Sequence, residues 1–197
     1  MNLRIERLSG QGLAARLGDL ARLRIAVFRD WPYLYDGDQA YEERYLRSYA
    51  ETPDSVIVAA LDGEKVVGAA TALPMAGEPE EMRAAFAKAG FDPNRIFYFG
   101  ESVLLSQYRG QGIGVEFFRQ REAHARETGG YTHATFCAVD RPADHPRRPA
   151  DYVPLDDFWR RRGFTPLPDM TVHFSWKDLD EAEESPKLMR FWIKELS

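Results

Sequence analysis

Residues 104–118 read LLSQYRGQGIGVEFF. Gly110, Gly112 and Gly114 alternate between an apolar run and a segment of helical pattern. The first N–H groups of a helix have no internal acceptor and carry partial positive charge. Glycine lets a ligand approach such backbone closely. The pattern therefore reads as an anion site from Arg109 to Gly114, most simply for a phosphate, with Arg109 adding charge. A tight strand-to-helix turn also uses glycine, but three alternate glycines exceed what one turn needs.

Two familiar phosphate loops do not fit. The nucleoside-triphosphate loop ends in Gly-Lys-Ser/Thr, whereas Val115 and Glu116 follow Gly114. The dinucleotide fingerprint Gly-x-Gly-x-x-Gly begins at Gly110 but meets Val115 at its third position.

The elements that must position this turn follow from periodicity. Leu3 to Leu8 alternates as a strand, and Leu13, Leu17, Leu20, Leu23 and Val27 recur at helical spacing up to Trp31-Pro32. A second helix is expected from Gln39 to Ala50. Val56 to Leu61 and Val66 to Leu73 form a hairpin joined at Asp62-Gly63. A short helix stops at Gly90, and Arg95 to Ser106 is a long, largely apolar fourth strand. Gly112 to about Thr128 is helix, and Thr132 to Val139 a fifth strand. A charged, proline-rich loop leads to the LDDFWRRRGF helix, and DMTVHFSW is the last strand. Hairpins mixed with strand–helix–strand crossovers predict an α/β (α+β) fold, with a mixed, mostly antiparallel sheet flanked by helices. The expectation is one domain over 1–197 with a C-terminal tail from about 177.

Composition narrows the partners. The 197 residues have a net charge of −5, which provides no global pull toward nucleic acid or acidic membranes. No run approaches the roughly 18 apolar residues of a membrane span. The N-terminus lacks the apolar core of a signal peptide. The single cysteine, Cys137, fits a reducing compartment, so the expected location is cytoplasmic. His124, His133, His145 and His173 are scattered without ligand spacing, so no metal is expected.

Gln107-Tyr108-Arg109-Gly110-Gln111-Gly112 resembles the Arg/Gln-x-x-Gly-x-Gly/Ala signature of the GNAT acetyltransferase superfamily, and the continuation Ile113-Gly114 is usual there. FWRRRGF, Phe158 to Phe164, resembles the family's later aromatic-aromatic-x-x-x-Gly-Phe stretch. The order of elements is similar along nearly the whole chain. The resemblance implies acetyl-CoA, or another acyl-CoA, as cosubstrate. Its pyrophosphate would rest on Arg109, Gly110, Gln111, Gly112, Ile113 and Gly114. Its pantetheine arm would pair with the fourth strand near Val103 and Leu104, where that strand typically bulges and splays from the fifth. Homodimers are common in the family, so a homodimer is open.

The implied activity is an acyl-CoA-dependent N-acyltransferase, acting by direct attack of a primary amine. An amine of pKa about 10.4 is about 10³-fold more protonated than neutral at pH 7, so a base helps. Relatives often place one on the fourth strand. Glu101 is the only acid in that apolar run, and alternation puts it opposite Ser102 and Leu104 unless a bulge intervenes. Tyr98 is a weaker alternative. Trp159 stands where many relatives have a tyrosine acid, and an indole N–H cannot serve. That leaves Tyr152, water or solvent. Arg147, Arg148 and Arg160–Arg162 either meet the adenosine phosphate or form a solvated basic face. Cys137 reads as a small buried residue rather than a nucleophile. Trp31, Tyr33 and Tyr35, with Asp36 and Asp38, suit the cationic amine of a small molecule or peptide. The alternative is a non-catalytic acyl-CoA-binding or regulatory module on the same fold.

Overall fold

The computed structural model describes residues 2–8 and 10–196. In chain order the elements are β1 (Leu3–Leu8), α1 (Gly10–Ala14), α2 (Leu17–Phe28), α3 (Gln39–Glu51), β2 (Val56–Asp62), β3 (Lys65–Pro74), α4 (Glu80–Lys88), β4 (Ile96–Leu104), α5 (Ile113–Thr128), β5 (His133–Val139), α6 (Asp156–Arg160), β6 (Thr165–Trp176) and β7 (Ser185–Glu195). The seven strands form one sheet in the order β1-β2-β3-β4-β5-β7-β6. Only β4 and β5 are parallel; the other neighbours are antiparallel. A parallel pair needs a crossover, and α5 supplies it. The fold class is the one the element order predicts.

The last expected strand begins earlier, at Thr165, and two larger differences follow. The expected helix from Leu13 is broken at Ala15–Arg16, where the Arg16 guanidinium reaches the Glu64 carbonyl and carboxylate, both at 3.0 Å, in the β2–β3 turn. The segment expected as a tail from about 177 contains β7, which lies between β5 and β6. Its inward residues Met189, Phe191 and Ile193 are buried. Their alternation was present in the sequence but followed an acidic stretch that reads as a chain end.

The sheet separates two cores. On one face α2, α3 and α4 place Leu20, Leu46, Tyr49 and Phe86 against Ile57, Ala59 and Tyr98. On the other, α5 and α6 place Phe117, Phe118 and Phe158 against Val58, Phe97 and Phe99. Continuous burial along β2 and β3 reflects cover on both faces.

β4 carries a bulge. Phe99 pairs with Ala72 and Ser102 with Ala70, so Gly100 and Glu101 together oppose Thr71. A Cβ at Gly100 would stand 2.3 Å from the Tyr49 hydroxyl and 2.6 Å from the Thr71 hydroxyl, so only glycine fits there. The bulge interrupts the ladder, and Arg121 of α5 fills the gap. Its guanidinium donates to the carbonyls of Thr71 (3.3 Å) and Glu101 (3.1 Å) and to the Ser102 hydroxyl (2.9 Å). It stacks 4.3 Å from the Phe99 ring and 4.8 Å from that of Phe118. Burial pulls its pKa down to about 9, against the pull of Glu101 and Glu122; it remains charged at neutral pH. Arg121→Met should cost about 2–5 kcal/mol, because buried carbonyls lose their donors. Arg119→Met, two residues away with an exposed guanidinium, should leave the urea midpoint in place. Equal shifts for the two variants would show that Arg121 does not hold the bulge.

Candidate active site

The glycine turn is built by two left-handed residues. Gly110 has φ 77° and Gly112 φ 81°, values that side chains disfavour. A Cβ at either would meet nothing within 4 Å, so the space above the turn is open. Among the described residues the N–H groups of Gly110, Gln111 and Gly112 have no acceptor. Gly112 caps α5, whose first turn begins at Ile113. The Tyr108 hydroxyl donates to Asp62 at 3.0 Å and ties the turn to the β2–β3 hairpin. Arg109 is exposed, with its Nε 3.4 Å from the Leu104 carbonyl. Gly114 has a different reason to be glycine. Its Cβ would lie 3.3 Å from Cζ of Phe158, so it admits α6 rather than a ligand.

Beside this turn the sheet opens. β4 pairs with β5 only at Ile96, Phe97 and Tyr98. Beyond Tyr98 the strands part, and the β5 side of β4 has no strand partner. Val103 is buried toward α2 and α3, and Leu104 packs on the opposite face. Counted back from Leu104, alternation holds and Glu101 faces α2 and α3, opposite Ser102 and Leu104; counted forward from Phe99, the bulge is what brings it to that face. There its carboxylate pairs with Arg24, which also pairs with Glu42. The Arg24 guanidinium lies 4.4 Å from the Tyr45 ring and 5.1 Å from the Phe28 ring. The Tyr45 hydroxyl donates to Glu101 at 3.2 Å. Burial opposes the Arg24 charge, but Glu101, Tyr45 and Glu42 outweigh it and raise the pKa.

A cavity of about 400 Å³ lies over this cluster. Tyr98, Gly100 and Glu101 of β4 and Cys137 of β5 form its floor, where the strands part. Tyr33, Tyr35, Tyr45 and Trp176 are among its aromatic walls, and Glu42 and Glu78 also face it. Glu78 was not singled out in the sequence, because it sits in a short connection before α4 with no motif around it. Its carboxylate has no hydrogen-bond or ion-pair partner among the described residues. Burial, with the nearby Glu101 charge, raises its pKa to about 7.

Of the three aromatic residues expected together, Tyr33 and Tyr35 line this cavity and Trp31 does not. Trp31 turns to a second cavity of about 240 Å³, beside Tyr152, Trp159 and Trp192. Its ring lies 5.0 Å from His145 and 5.9 Å from Tyr152. The loop is held there by Arg141, which donates to the carbonyls of Pro32 (2.9 Å) and Tyr33 (2.8 Å). Asp36 and Asp38 are also elsewhere: Asp36 pairs with Lys177 at 2.8 Å, and Asp38 caps α3 through the Tyr41 N–H. Trp159 is packed edge-on against Phe136 and Trp192, both at 5.1 Å. The Cys137 thiol is pushed up to about 12 by burial and lies 3.2 Å from the Tyr98 hydroxyl. Burial likewise keeps Tyr98 protonated.

Comparison with solved structures shows the same fold over whole chains. Ribosomal-protein-alanine N-acetyltransferase from Brucella melitensis is 16% identical, with a TM-score of 0.63 over 98% of this chain and 99% of that one. An acetyltransferase from Streptococcus agalactiae is 17% identical, with a TM-score of 0.61 over 100% and 99%. The protein yncA from Salmonella typhimurium, solved with its cofactor acetyl-CoA, is 12% identical, with a TM-score of 0.61 over 100% and 95%. At these identities the likeness is one of fold. A comparison with curated proteins found no match. Residues 21–150, from α2 through the signature turn and the loop after β5, match the acetyltransferase (GNAT) family, and the chain belongs to that family.

Proposed function

We propose that this protein transfers the acetyl group of acetyl-CoA to a primary amine by direct attack. The observation that carries the reading is the parting of β4 from β5 after Tyr98. It leaves one opening with bare backbone donors at its α5 end and a carboxylate-lined cavity at its floor. The residues present fit the cosubstrate. The N–H groups of Gly110, Gln111 and Gly112, with Ile113 and Arg109 beside them, offer donors and charge to a pyrophosphate. The open edge of β4 at Val103 and Leu104 suits an amide-rich arm. Gly114 contributes by keeping α6 close. Acetyl-CoA, when bound, supplies the thioester carbonyl that the amine attacks.

The cavity draws a cation by its excess of carboxylates over Arg24. Glu101, the expected base, is already engaged by Arg24 and Tyr45. Its carboxylate is held in place by those two contacts, so we assign it to attracting and orienting the amine. The high pKa of Cys137 disfavours an acyl-enzyme on its sulfur, which supports direct transfer. Tyr98 keeps its proton and can donate a hydrogen bond at the floor of the opening.

Acetyl-CoA should raise the melting temperature by several degrees when well above its Kd, and Gly112→Asp should abolish that rise. The aspartate brings a side chain and negative charge onto the bare backbone. No rise with the unmodified protein at millimolar acetyl-CoA would sink the cosubstrate assignment. Thiol release from acetyl-CoA with a panel of amines tests turnover; a melting shift without release from any amine favours an acyl-CoA-binding module instead. Glu101→Gln should raise KM for the amine more than it lowers kcat. An unchanged KM would remove Glu101 from the acceptor site.

A further inference from the structure

We infer that the acceptor is a compact primary amine with an apolar or aromatic body, seated in the cavity between α2, α3, β4 and β6 and deprotonated there by Glu78. This rests on the acetyl transfer proposed above and adds the acceptor class and the base.

The cavity selects by charge first. Three carboxylates, Glu42, Glu78 and Glu101, face one guanidinium, Arg24. Glu42 and Glu101 are both spent on Arg24. Glu78 is the one of the three with no ion-pair partner among the described residues, while Glu101 adds its charge from beside Arg24. A carboxylate-bearing substrate, such as a free amino acid, would place its anion among these acids. Much of the remaining wall is aromatic: Phe28, Tyr33, Tyr35, Tyr45, Phe174 and Trp176. Such a wall takes one ammonium through cation–π contact and buries an apolar body. A second ammonium, as in a polyamine, would be desolvated without a free carboxylate to meet it. The volume, about 400 Å³, suits a small molecule rather than a folded peptide or an oligosaccharide. The exposed residues Tyr41, Pro79 and Ser175 line the cavity on its solvent side, while the floor is where β4 and β5 part. An amine entering there meets Glu78 and Glu101 on its way to the opening.

The charged groups around Glu78 come from each neighbouring element. Arg24 faces the cavity from α2, Glu42 from α3 and Glu101 from β4. Tyr49, Tyr98 and Cys137 sense the Glu78 charge and are themselves held protonated by burial. On α4, Glu80 pairs with Arg83. A Glu78 pKa of about 7 places its loss of a proton in the neutral range, where a general base is effective. In the step, one ammonium proton passes to the Glu78 carboxylate. The nitrogen lone pair forms the C–N bond as the C–S bond breaks. The second nitrogen proton leaves with the sulfur as thiol.

The test uses the purified full chain with acetyl-CoA, following thiol release with 2-phenylethylamine, spermidine, lysine and a short peptide with a free N-terminus. The expected result is a kcat/KM for 2-phenylethylamine about 10–100-fold above the others. Its pH profile should rise with a midpoint near 7. Glu78→Gln should lower kcat/KM about 10²-fold and remove that rise. Glu78→Asp should keep the rise in part. The acetyl-CoA melting shift should survive in both, which also reports that they fold. Release with spermidine, lysine or peptide in preference to 2-phenylethylamine would overturn the acceptor class and leave acetyl transfer standing. An unchanged rate and pH profile in Glu78→Gln would overturn the base. No release with any amine and no acetyl-CoA shift would instead fail the acetyl-transfer reading itself.

Discussion

Glu101 is gripped from both faces of the sheet. Arg121 of α5 takes its backbone carbonyl on one side, and Arg24 of α2 takes its carboxylate on the other. Each arginine answers a need created by the same bulge. The extra residue in β4 frees carbonyls that need a donor, and it swings a carboxylate into an apolar face that needs a counter-charge. The two helices are thereby tied to one point of the sheet. That point is also where β4 leaves β5. The opening between the two strands is therefore framed by buried, charge-assisted hydrogen bonds.

The same arrangement gives the three acids different surroundings. Arg24 engages Glu42 and Glu101 and leaves Glu78 with an unshared proton affinity. Three carboxylates close together in an apolar wall cannot all stay charged without cost. Glu78 has no partner among the described residues, and burial first, with the Glu101 charge second, raises it to about 7. On the proposed reading, electrostatic attraction and proton acceptance reside on different side chains.

Much of the fold was legible because local pattern and tertiary demand agree. The β2–β3 hairpin, the long β4 and α5 all follow from apolar period and glycine placement. The turn at Gly110 and Gly112 was legible because left-handed backbone leaves few residue choices. Gly114 shared the spacing but serves a contact with Phe158, forty-four positions away, which spacing cannot reveal. β7 was missed because its partners, β5 and β6, lie on either side of it in space but both precede it in the chain. Arg121 reads as one more polar position on a helix; only the carbonyls beneath it make it internal.

The sequence alone determined the fold class and the glycine turn with its open backbone donors, since a strand, a glycine turn and a helix N-terminus are contiguous and their chemistry is backbone chemistry. The carboxylate-lined cavity was decided only by tertiary structure. Glu42, Glu78, Glu101, Tyr33 and Trp176 come from five separate segments, and their meeting depends on a bulge and on the packing of two helices. Trp31 and Tyr33 show the limit most directly. They are two residues apart in one aromatic loop, and the path of the backbone around Arg141 sends them to different cavities.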